Sequence, residues 1–324
     1  MSSAADPGQI RDLLGRGDSY VRDGDDRAAM SFYQAALGAA RGVRLVDSET
    51  MADLRRAQAF VQQRALEFEQ ALDRVVQGAE PASPIHRLRL THAMDMLKGK
   101  RSIYPQQPSV LYYPYLAQRQ FWERDEFDWA AELEAQAPVI RAELEALLAD
   151  GADFRPYIVA EEDRPHRDFH GLLGDESWTA LYLWKDGAVV EENARRCPKT
   201  MAALDKVPIS RIGRRTPAVL FSRLLPGAHI PPHHGMLNSR LICHLPLIVP
   251  PGGWLRVGNE TREWREGELL VFDDSLEHEA RNPSGETRII LLFDVWKPEL
   301  GEDERAAVSD IFDAIDAFSG ASDD

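Results

Sequence analysis

The chain has 324 residues, of which 44% are hydrophobic and 28% are charged, and its net charge is −15. No apolar run reaches the roughly 18–20 residues that a transmembrane helix needs. The acidic balance disfavours contact with phosphate backbones, so we expect no nucleic-acid partner. Two cysteines, Cys197 and Cys243, are too few for a disulfide framework. Because the chain also starts without a readable secretion signal, we expect a cytoplasmic protein.

The first hundred residues are predicted to be helical. Small and aromatic residues recur at helical spacing on both sides of a turn at Asp23-Gly24-Asp25, namely Gly17, Tyr20, Ala29, Tyr33 and Ala36. This pattern resembles one tetratricopeptide-type helix pair, and no second copy follows it. A further amphipathic stretch runs from about 50 to 77. We therefore assign residues 1–100 to a helical, tetratricopeptide-like region, which either packs as a scaffold or binds a protein partner.

The sequence pattern changes several times along the remaining residues. Residues 101–123 are rich in proline and aromatic residues, which indicates an irregular segment over an apolar surface. A helix is predicted from Asp128 to Leu148, where Pro138 either kinks the helix or begins a second one. Short β-forming runs then alternate with turns, at 179–184, 218–225, 241–249, 254–257, 268–272 and 288–295. This spacing is typical of an antiparallel sandwich or barrel. An acidic segment, 301–324, follows with helical spacing of its apolar residues.

Histidines cluster in the predicted β region, at His229, His233, His234, His244 and His278. Clustered imidazoles suggest a metal site, because neutral imidazole binds iron, zinc and copper alike. His233 follows Pro231-Pro232 at a predicted strand start, His278 lies 45 residues later, and Arg288 comes ten residues beyond. Two imidazoles can hold iron on one face, and a guanidinium can bind a carboxylate through two parallel bonds. This layout is typical of iron(II)- and 2-oxoglutarate-dependent oxygenases.

Longer strings make the match more specific. They are PGAH at 226–229, PHHG at 232–235, NSRL at 238–241, HL at 244–245, NET at 259–261, FDDSLEHE at 272–279 and DVWKPEL at 294–300. Through them the stretch 178–300 resembles the aspartyl/asparaginyl β-hydroxylase family of those oxygenases. The resemblance implies an α+β fold with a double-stranded β-helix core, jelly-roll or cupin-like, at about 178–300. That core would belong to a catalytic domain of residues 101–324, which ends in the acidic helix 301–324.

The resemblance also implies roles for single residues. His233 and His278 would be the ligands of Fe(II). Arg288 would bind the distal carboxylate of 2-oxoglutarate, and Arg240 would face the carboxylate of the substrate. The cosubstrate pocket would also be lined by Ser222, His244 and Trp178.

Two positions depart from the family pattern. Ile242 stands where peptide-hydroxylating members have a second substrate-facing arginine, so half of the expected carboxylate clamp is apolar. Gly235 stands where most oxygenases of the wider class have a metal-binding carboxylate, and it leaves a position for water or for a halide. Asp273 and Asp274 are candidates for accepting an imidazole N–H, or for turn or surface roles.

These observations predict an iron(II)- and 2-oxoglutarate-dependent dioxygenase. It would hydroxylate an unactivated C–H of an amino-acid-like substrate, such as a peptidyl Asp or Asn, and release succinate and CO2. Its partners would be 2-oxoglutarate, O2 and a peptide, protein or amino-acid-like substrate. The alternatives are an inactive or metal-binding cupin-like barrel with a helical partner-binding module, and a halogenase. The resemblance alone does not choose among protein side chains, free amino acids and lipid acyl chains.

Overall fold

The computed structural model describes residues 7–41, 43, 47–160 and 171–318. The chain divides into two compact units, Met1–Arg101 and Ser102–Asp324. Among the described residues, no helix combines the length and the apolar character needed to cross a membrane.

The first unit is helical. Its helices are α1 (Pro7–Arg22), α2 (Asp26–Ala40), α3 (Ser48–Gly78) and α4 (Pro84–Leu97). Their hydrophobic cluster is formed mainly by α1, α2 and the first turns of α3, and it includes Ile10, Tyr33 and Leu54. A Cβ at Gly17 would lie 2.4 Å from the Tyr33 ring, so glycine is what allows α1 and α2 to pack this closely. The amphipathic stretch predicted from about 50 to 77 corresponds to α3.

The second unit has five α-helices in its described part, four between strands along the chain and one after the last strand. They are α5 (Ala130–Ala135), α6 (Ala137–Ala149), α7 (Glu191–Ala194), α8 (Pro198–Leu204) and α9 (Glu302–Phe318). The predicted helix 128–148 is thus two helices, and Pro138 lies in the first turn of α6, where no N–H donor is needed. The acidic helix forms up to Phe318 and buries Val308 and Phe312, whereas residues 319–324 lie outside the described part of the chain.

The strands of the second unit are short and antiparallel. In chain order they are β1 (Phe121–Trp122), β2 (Arg155–Pro156), β3 (Trp178–Lys185), β4 (Ala188–Val189), β5 (Val219–Leu224), β6 (His229–His233), β7 (Arg240–Ile248), β8 (Trp254–Val257), β9 (Glu260–Glu263), β10 (Leu270–Phe272), β11 (His278–Arg281) and β12 (Arg288–Trp296). The larger sheet has the order β1-β10-β7-β12-β5-β3-β2, with β4 paired to β3. The smaller sheet has the order β6-β11-β8-β9.

Successive side chains along each strand point to opposite faces of the larger sheet. On β7, Leu241, Cys243 and Leu245 belong to a hydrophobic cluster that also contains the apolar sides of α5, α6 and α8. The alternate residue Ile242 belongs to a second cluster, together with Leu255 and other residues of the smaller sheet. The two sheets therefore enclose one interior, and the second unit is an α+β domain with a double-stranded β-helix core.

Several strand assignments differ from the sequence prediction. His233 ends β6, so the prediction that it begins a strand is wrong. Pro231 and Pro232 lie inside that strand, which is tolerated because β6 is at the edge of the smaller sheet. The strands β9 and β11 were not predicted, because their sequences ETRE and HEAR are rich in charge. Segment 101–123 is irregular as predicted, except for the two-residue strand β1.

Candidate active site

Two imidazoles meet where β6 and β11 pair. His233 and His278 are direct partners across this antiparallel ladder. Their ring centroids lie 4.0 Å apart, and His278 is buried. Strand register therefore brings together two side chains that are 45 residues apart in the sequence.

Both rings are oriented by backbone carbonyls two residues before them. Nδ1 of His233 lies 2.8 Å from the Pro231 oxygen, and Nδ1 of His278 lies 3.0 Å from the Leu276 oxygen. Because a carbonyl only accepts, each Nδ1 carries the proton and the lone pair is on Nε2. Burial, and next the neighbouring His233, hold the pKa of His278 well below its usual value. His278 is therefore a neutral imidazole with Nε2 available to a metal, and the Nδ1 of His233 is engaged in the same way, which directs its Nε2 away from the backbone.

The position two residues after His233 has no room for a side chain. A Cβ at Gly235 would lie 2.0 Å from Oδ2 of Asp274, and the Gly235 N–H donates to the Asp274 carbonyl oxygen at 2.7 Å. Burial raises the pKa of Asp274 to about 6, and none of the residues that the structure describes forms a hydrogen bond with its Oδ1. Within the described residues, no three His, Cys, Asp or Glu side chains are grouped to hold a metal ion. The described chain therefore offers two imidazoles, with the remaining coordination positions left to other ligands.

Arg288 is a buried cation at the start of β12, with 1% of its surface exposed. Its Nη1 donates to the Ser222 carbonyl oxygen at 3.1 Å and to Ser222 Oγ at 3.4 Å, whereas its Nε has no hydrogen-bond partner in the described part of the chain. Its guanidinium carbon lies 4.5 Å from the centre of the Trp264 ring. Burial lowers the pKa of Arg288 to about 9, and no carboxylate of the described residues forms an ion pair with it. Burial of an unpaired charge lowers the free energy of unfolding, unless an anion binds beside it.

Two of the predicted pocket residues, Ser222 and Trp178, lie between the Arg288 guanidinium and His233. Nε1 of Trp178 donates to Ser222 Oγ at 3.3 Å, so Ser222 contacts both Trp178 and Arg288. The Trp178 ring stacks on Tyr157 with 4.1 Å between centroids and lies 6.5 Å from the His233 ring. Sequence reasoning missed Tyr157, since nothing in its local pattern distinguishes it from other loop aromatics.

His244 lies on the inner face of β7. Its Nδ1 accepts a hydrogen bond from Nε1 of Trp264 at 3.3 Å, so its own proton is on Nε2. Burial, and next the charge of Arg288, lower the pKa of His244 well below its usual value, so the ring is neutral. Trp264 contacts both His244 and Arg288, yet the sequence analysis did not single it out. It directly follows β9, and its partners are distant in the sequence.

Arg240 lies in the same interior but is already paired. Its Nη2 is 3.1 Å from Asp274 Oδ2, and its Nε is 3.7 Å from Asp294 Oδ2. Burial opposes the charged form, but these two carboxylates raise the pKa of Arg240. Ile242, two residues further along the same face, is apolar and buried. The predicted substrate-facing arginine therefore has two carboxylate neighbours within its own chain.

A second buried ion pair anchors the irregular segment 101–123 to the barrel. Nζ of Lys297 donates to Asp273 Oδ2 and to the Ala117 carbonyl oxygen, each at 2.8 Å. Nε2 of Gln106 donates to the same Asp273 oxygen at 2.6 Å. Asp273 is thus a structural acceptor. Neither it nor Asp274 accepts the Nδ1–H of His233 or His278, because backbone carbonyls take those protons.

His229 is not part of this constellation. Its Nε2 lies 2.8 Å from Glu279 Oε2, and the side chain is exposed. His229 therefore belongs to a surface hydrogen-bond group, in which Glu279 also accepts from Arg256.

Comparison with known proteins gives a family match over the same region. The model of the family described as aspartyl/asparaginyl beta-hydroxylase matches residues 134–298, a stretch that contains every predicted site residue. The ornithine lipid ester-linked acyl 2-hydroxylase of Rhizobium tropici is 38% identical over 191 residues, which are 58% of this chain and 64% of that protein. The aspartyl/asparaginyl beta-hydroxylase of Homo sapiens is 39% identical over 132 residues, 40% of this chain and 17% of that protein.

This chain matches less than two thirds of the length of either relative. Among solved structures, a Pseudomonas putida prolyl-4-hydroxylase superposes with a TM-score of 0.31 at 14% identity, covering 52% of this chain and 99% of that one. Since the family model spans half of the chain and all of the candidate site, the chain belongs to the aspartyl/asparaginyl β-hydroxylase family.

Proposed function

We propose that the protein is an iron(II)- and 2-oxoglutarate-dependent dioxygenase that hydroxylates an unactivated C–H bond. His233 and His278 would hold the iron. Arg288, Ser222 and His244, with Trp178 beside them, would hold 2-oxoglutarate. Membership of the hydroxylase family supports the reaction class.

The observation that carries the proposal is the buried charge of Arg288, which no carboxylate of the described residues pairs with. A buried guanidinium with an unused Nε–H can offer a carboxylate two parallel charge-assisted bonds. Ser222 Oγ and the Nε2–H of His244 add neutral donors beside it. A dicarboxylate that is anchored here at one end can direct its other end toward the two imidazoles. This arrangement fits 2-oxoglutarate, whose two ends are chemically distinct.

The donor set also fits iron. Neutral imidazole suits Fe(II), and a site with two protein ligands leaves positions for a chelating keto acid and for dioxygen. Together, iron and 2-oxoglutarate would supply the oxidant that places one oxygen atom of O2 in the C–H bond, with 2-oxoglutarate converted to succinate and CO2. The protein would contribute orientation, a dry interior and charge compensation.

Hydroxylation is favoured over halogenation by the carboxylate next to Gly235. A halide beside the metal would lie close to Oδ2 of Asp274, which occupies the place where a residue-235 side chain would begin. The Asp274 carboxylate is paired with Arg240, and its Oδ1, which has no partner among the described residues, can accept a hydrogen bond from a water molecule but not from a halide. We therefore propose hydroxylation, and not halogenation, as the reaction.

For the substrate, two candidates follow from different observations. An amino-acid-like carbon, such as that of a peptidyl Asp or Asn, agrees with the family and would need Arg240 to bind a carboxylate. An apolar acyl carbon is favoured by the pairing of Arg240 with Asp274 and Asp294, and by Ile242. The similarity to a lipid acyl 2-hydroxylase supports the second candidate.

The proposal is tested by anaerobic titration of the protein with iron(II) and then with 2-oxoglutarate. We expect a weak visible charge-transfer band in the wild type, because the keto acid chelates the metal, and no such band in His278→Ala. Iron binding without a band would contradict the cosubstrate assignment and favour a metal-binding or inactive barrel with a helical partner-binding module. A band in His278→Ala equal to that of the wild type would contradict the ligand assignment.

A further inference from the structure

Residues 102–118 form an uncharged segment in a highly charged protein. No Asp, Glu, Lys or Arg occurs among these seventeen residues, although 28% of the chain is charged and about five such residues would be expected. The segment contains four tyrosines and four large aliphatic residues, Ile103, Val110, Leu111 and Leu116. We call residues 102–118 the rim segment.

The rim segment crosses the end of the barrel at which the two candidate metal ligands lie. The N–H of Gln107 donates to the Ser275 carbonyl oxygen at 2.7 Å, in the loop before β11. The N–H of Ser109 donates to the Gly235 carbonyl oxygen at 2.9 Å, in the loop after β6. The next residue, Val110, donates to Met236 at 3.1 Å. The segment is therefore fixed beside the residues that follow His233 and precede His278.

Large apolar side chains of this region point into solvent. The exposed fractions are 77% for Ile103, 49% for Val110, 55% for Tyr112 and 38% for Met236, and Tyr115 is fully exposed. Tyr115 also has a φ of 68°, a left-handed conformation that is unfavourable for a bulky residue. Single exposed apolar residues are common, but several on one uncharged segment that is hydrogen-bonded beside the candidate site indicate an interaction surface.

We propose that the rim segment, together with Met236, docks the protein onto the surface of a zwitterionic lipid bilayer. Tyrosine has an apolar body and a polar tip, which suits the boundary between headgroups and acyl chains. The aliphatic side chains can insert below the headgroups, and no charged side chain of the segment has to be dehydrated. A net charge of −15 disfavours anionic lipid, so the surface suits neutral headgroups.

This inference rests on the proposed function, since it names the surface from which the site would take an apolar substrate. A bilayer docked at the rim segment would present acyl carbons close to the end of β6. Such an arrangement lets a substrate reach the interior without crossing water.

The test is flotation of the full chain with phosphatidylcholine vesicles in a density gradient. We expect the wild type to float and the double variant Val110→Asp/Tyr112→Asp to bind about tenfold less, because two inserted side chains become charged. Addition of phosphatidylglycerol should not strengthen binding. Wild-type protein that stays at the bottom of the gradient would overturn the inference and leave a protein partner as the occupant of this surface.

The matched control is Phe68→Asp, on α3, because Phe68 is 51% exposed, close to the value for Val110. We expect this variant to float like the wild type. Loss of flotation in Phe68→Asp, with retention in the rim variant, would assign lipid binding to the helical unit and overturn the inference. The iron and 2-oxoglutarate band is read in every variant, so a failure of the proposed function is detected separately from a failure of docking.

Discussion

At the scale of single residues, the proposed role of Arg288 in binding the cosubstrate has a consequence for the stability of the fold. Its guanidinium is buried over the Trp264 ring with no carboxylate beside it among the described residues. A buried charge of this kind is paired only when an anion arrives, so cosubstrate binding would also stabilise the fold.

We expect Arg288→Met to fold and to gain about 1 kcal/mol in free energy of unfolding without cosubstrate, because an uncompensated charge is removed. The same variant should bind 2-oxoglutarate about a hundredfold more weakly, because the charge-assisted bonds are lost. Urea unfolding and titration calorimetry measure the two quantities. Unchanged 2-oxoglutarate affinity would contradict the role of Arg288.

Gly235 gives a second prediction at this scale. Gly235→Asp supplies the carboxylate that most related oxygenases use as a third ligand, yet its Cβ would collide with Asp274. We therefore expect this variant to bind Fe(II) more weakly than the wild type and to have a lower Tm. Gly235→Ala, which introduces the same Cβ without charge, should lose a similar amount of stability. Tighter iron binding by Gly235→Asp would show that Asp274 moves aside.

At the level of elements, Trp264 links strands that are not neighbours in sequence. It directly follows β9, donates to His244 on β7 and covers Arg288 on β12. It fits against Gly253, where a Cβ would lie 3.1 Å from the indole ring. Trp264 is thus a positioning residue for two proposed cosubstrate contacts.

We expect Trp264→Phe to raise the KM for 2-oxoglutarate about fivefold with little change in kcat, because one hydrogen bond to His244 is lost. Trp264→Leu should raise it further, since the ring face over Arg288 is lost as well. Trp254→Phe, on β8, is the control and should behave like the wild type. Equal KM values in all four proteins would contradict the positioning role.

The elements also show what the sequence could and could not predict. The sequence predicted the longer strands, because hydrophobic runs are local. Local motifs that resemble the family also marked His233, His278 and Arg288. The ion pairs of Arg240 with Asp274 and Asp294, and the contacts of Trp264, were not readable. They depend on which strands become neighbours and on side-chain direction, and no local pattern encodes either.

At the scale of the whole molecule, each unit has hydrophobic clusters of its own. One cluster is formed by residues between Ile10 and Ala57, and the others by residues between Phe121 and Phe312. All residues of the candidate site belong to the second unit.

We therefore expect residues 102–324 to fold without the helical unit and to form the charge-transfer band with iron(II) and 2-oxoglutarate. Circular dichroism melting and the anaerobic titration check this expectation, with the full chain as the control. A truncated chain that unfolds without cooperativity would show that the helical unit is needed for the barrel to fold.

The prolines of β6 have a consequence beyond the site. Pro231 and Pro232 lie on an edge strand and carry no N–H, so that edge cannot form a continuous ladder with a strand of another molecule. The strand that contains His233 is thereby protected from intermolecular pairing, through which exposed edges start aggregates. The two prolines beside His233 therefore also reduce aggregation, because they prevent the exposed edge of β6 from pairing with strands of other molecules.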